Sequence, residues 1–224
     1  DLSSCIALEQ LNLSNNQLTS LDVSSNTALT YLSCNSNNQL TSLDVSSNTA
    51  LTYLGCTSNQ LTSLDVSSNT ALTYLACNSN NQLTSLDVSS NTALTYLTCD
   101  NNQLASLDVS ANTALTYLTC GANQLLTHLN MKNGVTDQLS TFNATGNSSL
   151  TCIETLDPDY ATANWTNAND NIDDGVTFDV ICGAETRTHW YVATTGSDAA
   201  GSGTLASPLA NIQTAINATT NGDT

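Results

Sequence analysis

Residues 18–34 read LTSLDVSSNTALTYLSC, and this stretch decides the fold because it returns almost unchanged four more times. The copies occupy residues 40–56, 61–77, 83–99 and 104–120. Successive copies therefore start 22 or 21 residues apart, in alternation. A period of this length indicates a solenoid, in which each turn stacks on the previous one and the turns bury a shared core.

Each copy contains two short segments in which inward and outward residues alternate. In the second segment, Leu32 and Cys34 fall on one side of an extended chain and Tyr31 falls on the other. The first segment alternates in the same way, with Leu21 and Val23 inward. Neither segment is long enough for a helix, and their Ser, Thr and Val content disfavours one. We predict a mainly β, right-handed leucine-rich-repeat coil with 21/22-residue turns, two short extended segments per turn and parallel pairing at about 4.8 Å.

Asparagine marks both corners of each turn. Its amide tolerates turn conformations and pairs with backbone groups, so we interpret the two columns as structural ladders rather than ligand sites. One column is Asn26, Asn48, Asn69, Asn91 and Asn112, and the other is Asn16, Asn37, Asn59, Asn80, Asn102 and Asn123.

This register resembles bacterial extracellular leucine-rich repeats of the internalin type, in the variety whose strands carry cysteine where leucine is usual. The resemblance covers about residues 1–131 and implies a secreted or surface-attached protein that binds a partner. We expect the column to be free, buried thiols that act as small hydrophobes, because their parallel side chains do not suit disulfide bonds. A metal stripe is the alternative, although it lacks His partners. The column is Cys34, Cys56, Cys77, Cys99 and Cys120.

The repeats stop before the end of the chain, and we assign residues 1–131 to the solenoid and 132–183 to a C-terminal cap. Cys152 and Cys182 flank an aperiodic segment, so we predict a disulfide that closes this cap, whereas Cys5 has no evident partner. Residues 189–216 resemble the opening of right-handed β-helix domains of the pectate-lyase-like kind. We therefore predict that residues 184–224 are a linker and the truncated start of such a domain.

Two outward columns are candidates for function, and the first consists of tyrosines. Exposed tyrosine rows bury much area on contact and keep a hydroxyl for hydrogen bonding, so this column is our candidate ligand-binding surface for a protein or a glycan. The alternative is that the rings stack on one another and stiffen the sheet. The column is Tyr31, Tyr53, Tyr74, Tyr96 and Tyr117.

The second column is acidic. Carboxylates about 5 Å apart repel each other by about 0.8 kcal/mol in water. We expect hydrogen bonds to the adjacent turn to offset this repulsion. Calcium between the turns is the alternative, although one Asp per turn supplies few oxygens and residues 169–175 do not match an EF-hand loop. The ladder is Asp22, Asp44, Asp65, Asp87 and Asp108, continued by Asn130.

Charge and residue chemistry exclude several classes of function. Two basic residues against 19 acids give a net charge of −17, which argues against nucleic acid and anionic membranes as partners. No apolar run is long enough to insert in a bilayer, no signal peptide is visible, and both chain ends look cut. Neither His nor Lys accompanies the acidic ladder, and His128 and His189 show no triad or metal spacing, so we expect no catalysis and no cofactor.

The preferred interpretation is an extracellular binding or adhesion module that presents a repeat surface. One alternative is a targeting arm for a secreted carbohydrate-active enzyme carried by the β-helix. Another is a structural fibre element that self-associates through its solenoid ends.

Overall fold

The computed structural model describes residues 2–183, 197 and 209–210. Within these ranges the chain forms eleven strands of three residues each, one α-helix and two 3₁₀ turns. The helix is α1 (Pro158–Asn164), and the 3₁₀ turns are Thr136–Gln138 and Asn167–Asn169. The strands are β1 (Gln10–Asn12), β2 (Tyr31–Ser33), β3 (Tyr53–Gly55), β4 (Tyr74–Ala76), β5 (Tyr96–Thr98), β6 (Ser106–Asp108), β7 (Tyr117–Thr119), β8 (His128–Asn130), β9 (Thr141–Asn143), β10 (Cys152–Glu154) and β11 (Thr177–Asp179).

The strands form two parallel sheets, one on each side of the solenoid. The larger sheet has the order β1-β2-β3-β4-β5-β7-β9, and the smaller has the order β11-β10-β8-β6. Each strand of the larger sheet pairs with the equivalent residues of the next turn, as Tyr31 does with Tyr53 and Leu32 with Leu54. The predicted parallel solenoid of 21/22-residue turns is confirmed.

The first of the two extended segments in each turn becomes a strand only from Ser106 onward. In earlier turns, the residues around Leu21 and Leu43 make no strand ladder within the described part of the chain. An open cleft lies across these turns and reaches Asp65.

The core is a stack of inward leucines, valines and cysteines. Leu32, Leu54 and Leu75, which are successive members of one column, are fully buried. Burying one leucine contributes about 1.5–3 kcal/mol, and each turn adds several such side chains. Because neighbouring turns supply the contacts, stability is shared along the stack.

The two corner columns tie each turn to its neighbour by different hydrogen bonds. In one, the Asn59 Nδ2 donates to the carbonyls of Cys34 (3.1 Å) and Cys56 (2.8 Å), and its Oδ1 accepts the Asn37 N–H. In the other, the Asn69 Nδ2 donates to two carbonyls, but its buried Oδ1 accepts no hydrogen bond from the described protein. The same holds for the remaining members of that column, which are Asn26, Asn48, Asn91 and Asn112.

Both sheets continue past residue 131 into the predicted cap. Strand β9 extends the larger sheet, and β10 and β11 extend the smaller. Trp165 fills the end of the core and lies 4.3 Å from Phe142 and 5.8 Å from Phe178, measured between ring centroids. Cys152 and Cys182 form the predicted disulfide.

A buried ion pair lies beside this disulfide. The Lys132 Nζ is 2.8 Å from the Glu154 carboxylate, which also accepts the Cys182 N–H. An ion pair thus joins Lys132 to β10, and a hydrogen bond and the disulfide join β10 to the segment around Cys182. None of the helical segments in the described ranges has the length and hydropathy needed to cross a bilayer. The predicted β-helix start, residues 184–224, lies outside the described residues apart from positions 197, 209 and 210.

Candidate functional site

The five tyrosines of the larger sheet form one continuous stack. Adjacent ring centroids are 4.1–4.3 Å apart, and adjacent ring planes differ by 8–17°. Strand register produces this stack, because each tyrosine pairs directly with the tyrosine of the next turn. Each inner ring therefore has both faces covered by its neighbours, and only its edge and its hydroxyl point outward. The rings are half-buried, so the stack both stiffens the sheet and presents a row of edges.

A polar groove runs beside the tyrosine stack. Its floor is the next outward position of each strand, which carries small side chains, and its far wall is the position two residues further on. The groove has a volume of about 380 Å³. The floor positions are Ser33, Gly55, Ala76, Thr98 and Thr119, and the far-wall positions are Asn35, Thr57, Asn78, Asp100 and Gly121. Those that line the cavity are Ala76, Thr98 and Thr119 of the floor and Asn35, Thr57, Asn78 and Asp100 of the wall. We call this feature the polar groove.

Hydrogen bonds between turns hold the far wall in place. The Asn78 Oδ1 accepts the hydroxyls of Thr57 (2.8 Å) and Thr98 (3.1 Å). The Asp100 carboxylate accepts the Gly121 N–H at 2.8 Å through one oxygen and the Thr119 hydroxyl through the other. The wall is therefore organised before any partner binds, which lowers the entropy cost of binding.

Backbone crowding explains the glycine at one end of the wall. A Cβ added to Gly121 would lie 2.8 Å from the Thr145 carbonyl oxygen and 3.0 Å from the Asn143 Oδ1. A side chain there would push apart two turns of the solenoid.

The sequence did not lead us to predict this far wall, although the pattern of variation between the copies and the alternation along the strand both indicated it. The tyrosine column is invariant across the five copies, whereas the floor and the wall change from copy to copy. The alternation that places Tyr31 and Ser33 outward also continues to Asn35, beyond the point at which the predicted segment ended.

Burial makes three of the tyrosine hydroxyls weaker acids. It raises the pKa of Tyr53, Tyr74 and Tyr117 above the ordinary tyrosine value, and contacts with neighbouring phenols modify the shift. The hydroxyls are thus neutral at physiological pH and act as hydrogen-bond donors and acceptors.

The acidic ladder lies on the other side of the solenoid and is exposed to solvent. The expectation that it bonds to the adjacent turn was wrong for most of its members, because the donors come from the same turn. The Asp65 Oδ1 accepts the N–H of Ser67 at 2.9 Å, and Asp22, Asp44, Asp87 and Asp108 do the same with the serine two residues later. Asp108 also accepts the amide of Asn130 from the next turn.

These local bonds favour the ionised carboxylates. The serine side chain, followed by its backbone N–H, lowers the pKa of Asp22, Asp44, Asp65 and Asp87. In the part of the chain that the structure describes, no group of three His, Cys, Asp or Glu side chains is placed to hold a metal ion.

The acid-rich segment 169–175 has a structural contact instead. The Asp173 carboxylate accepts the backbone N–H groups of Gly146 (2.8 Å) and Asn147 (2.7 Å), and so ties this segment to the last turn of the larger sheet.

The five thiols of the cysteine column are free and buried, as predicted. Burial raises the pKa of Cys34 and Cys77 to about 12 and raises the pKa of Cys56, Cys99 and Cys120 as well. Since the thiolate is the reactive form, these groups are inert in the folded protein. Cys5 is exposed and free.

Comparison with known proteins agrees with this geometry. A family model described as Leucine Rich repeats (2 copies) matches residues 6–48. The fold is a leucine-rich-repeat solenoid. No curated protein matches the chain.

Two solved structures of Listeria monocytogenes proteins resemble it. The functional domain of InlJ, which includes a cysteine ladder, has 41% sequence identity and a TM-score of 0.61, and the match covers 69% of this chain and 36% of that one. The internalin InlF has 26% identity and a TM-score of 0.47, with 69% and 56% covered. The chain thus spans about a third of the InlJ structure and just over half of the InlF structure.

Proposed function

We propose that the chain is an extracellular, non-enzymatic module that binds a protein through the tyrosine stack and the polar groove. The observation that supports this most directly is the register of the five rings, which builds one continuous edge-on surface. Tyrosine gives large contact area at low cost in side-chain entropy, and its hydroxyl adds hydrogen bonds.

Ring geometry favours a protein over a glycan. A sugar ring stacks on the face of an aromatic ring, but spacings of 4.1–4.3 Å leave no room between neighbouring tyrosines. Only the end rings, Tyr31 and Tyr117, have one face that no other tyrosine covers. A row of edges and hydroxyls suits polypeptide side chains and backbone groups instead.

Two observations support an extracellular location. The Cys152–Cys182 disulfide is typical of oxidising compartments. The chain also resembles InlJ, including its cysteine ladder. We further propose that residues 132–183 close the solenoid, since Trp165 and the disulfide cover the end of the core there.

Capture of binding proteins from a panel of secreted and cell-surface proteins, with a glycan array in parallel, tests this proposal. The bait is the 224-residue chain, and two variants change all five tyrosines to Phe or to Ser. The matched control changes the five ladder aspartates to Asn. Circular dichroism and thermal melting establish that each variant is folded.

We expect a captured protein to lose much more affinity for the Tyr→Ser variant than for the Asp→Asn control. The Tyr→Phe variant, which keeps the stack and loses the hydroxyls, should be intermediate. Glycan binding without protein capture, or capture that a folded Tyr→Ser variant retains, would overturn the proposal.

A further inference from the structure

We propose that the polar groove recognises a basic segment of the protein partner, and that Asp100 pairs with a lysine or arginine side chain of that segment. The inference rests on the proposed function, since it names the chemistry of the partner that the same surface takes. Three observations support it: the hydrogen bonds of Asp100, the position of Asp100 in the far wall, and the negative charge of the surrounding surface.

The backbone N–H bond that residue 100 accepts from the next turn does not need a charge. Asn35 occupies the equivalent position three turns earlier, and its neutral Oδ1 accepts the Thr57 N–H at 2.8 Å. The Asp100 Oδ1 accepts the Gly121 N–H at the same distance. The amide oxygen of an asparagine therefore suffices for this N–H bond, whereas a half-buried carboxylate costs desolvation energy. The second oxygen of Asp100, which accepts the Thr119 hydroxyl, has no counterpart at Asn35.

Asp100 lines the groove and keeps acceptor capacity beyond its two hydrogen bonds. Each carboxylate oxygen has about two lone-pair sites, and the N–H of Gly121 and the hydroxyl of Thr119 use one on each oxygen. The remaining sites match the paired N–H groups of a guanidinium or a lysine ammonium. Of the nearby rings, Tyr96 has both faces covered by neighbouring tyrosines and cannot attract the cation with a face.

The surface around this site favours a cationic partner. The net charge of the chain is −17. Among the described residues, Lys132 is the only Lys or Arg, and it is buried and paired with Glu154. The described surface therefore presents no Lys or Arg that would repel a basic segment. Such a field speeds association with cationic partners and disfavours acidic ones.

A single charge in the groove also determines how a partner aligns along the repeats. Five nearly identical turns offer a partner several equivalent positions, each displaced by one turn. Asp100 is the acidic residue of the far wall, whose other members are Asn35, Thr57, Asn78 and Gly121. A basic side chain held there fixes the register of the partner along the groove.

An NMR titration of the 224-residue chain with N-acetyl-arginine amide tests the site without the natural partner. N-acetyl-citrulline amide, which has a similar shape and no charge, is the matched probe. The variants are Asp100→Asn, which keeps an acceptor for the Gly121 N–H, and Asp65→Asn in the exposed ladder as the control; circular dichroism establishes that both are folded.

We expect saturable shifts of the Gly121 and Thr119 amides with the arginine probe. These shifts should disappear with citrulline and in Asp100→Asn, and persist in Asp65→Asn. Shifts of equal size at all carboxylates, or shifts that survive Asp100→Asn, would overturn the inference.

With a captured partner, Asp100→Asn should lower the affinity about tenfold, which corresponds to about 1.4 kcal/mol, and should weaken the salt dependence. Asp65→Asn should change the affinity less than twofold. A partner that depends on the tyrosines but binds Asp100→Asn normally contradicts this inference alone. Failure of the Tyr→Ser variant to lose affinity contradicts the proposed function.

Discussion

The cysteine column makes the solenoid sensitive to alkaline pH well before its tyrosines ionise. Burial raises the pKa of Cys34 and Cys77 from 9.0 to about 12, and burial raises the pKa of the other three column thiols. The folded state therefore holds these protons more tightly than the unfolded state. The resulting stability is fully present below pH 9 and is lost as the pH rises from about 9 towards 12.

The size of the effect follows from linkage. Between pH 8 and pH 9.5, one thiol with an unfolded pKa near 9 lowers the free energy of unfolding by about 0.8 kcal/mol, and five lower it by about 4 kcal/mol. A typical domain has only about 5–15 kcal/mol in total. The three tyrosines with raised pKa act in the same direction, but with an unfolded pKa near 10 each contributes only about 0.2 kcal/mol between pH 8 and 9.5, so the thiols dominate the loss.

Guanidinium unfolding followed by circular dichroism at several pH values measures this effect. Substituting Cys77 by Val should reduce the loss between pH 8 and 9.5 by about 0.8 kcal/mol. The exposed Cys5 is the control, because Cys5→Ser should leave the pH dependence unchanged. A free energy of unfolding that stays constant from pH 8 to 9.5 would refute the reasoning, since it would mean that the thiols are not shielded from solvent.

Three further predictions concern stability, each measured by the same unfolding assay. Asn80→Ala should lower the free energy of unfolding by about 3 kcal/mol and Asn69→Ala by about 2 kcal/mol. The Asn80 side chain makes one more hydrogen bond, because its Oδ1 accepts the Leu61 N–H whereas the Asn69 Oδ1 accepts none. Equal losses would contradict this distinction. Lys132→Met should cost about 3–5 kcal/mol by leaving Glu154 buried and unpaired, and a folded variant of native stability would show that the pair is open to water. Cys182→Ser should cost about 3–4 kcal/mol, from a disulfide with a sequence separation of 30, and the loss should match that caused by reducing the native chain.

Much of the fold was predictable because the repeat period determines which residues are buried. The inward positions of Leu32 and Cys34 and the corner role of the asparagines follow from alternation and turn chemistry. The difference between the hydrogen bonds of the two asparagine columns does not follow from the sequence. Asn59 and Asn69 are the same residue type, and only the folded backbone determines that the Oδ1 of one meets an N–H while the Oδ1 of the other does not.

The tyrosine column was predictable, but its geometry was not. Register placed Tyr74 beside Tyr53, whereas the covering of ring faces depends on side-chain torsions that a pattern does not specify. The far wall of the groove was not predicted, because the predicted segment ended at Cys34, one residue before Asn35. The acidic ladder was assigned the wrong donors, because a serine two residues after Asp65 provides a closer partner than the next turn does.

The central claim is that the partner lies on the tyrosine side of the solenoid, and site-specific photocrosslinking tests it most directly. A photoreactive side chain is placed either at Thr57, in the polar groove, or at the exposed Ser63, on the side of the acidic ladder. With a captured partner, the account predicts a crosslink from Thr57 and none from Ser63. A crosslink from Ser63 alone would contradict it and would place the binding surface on the acidic ladder.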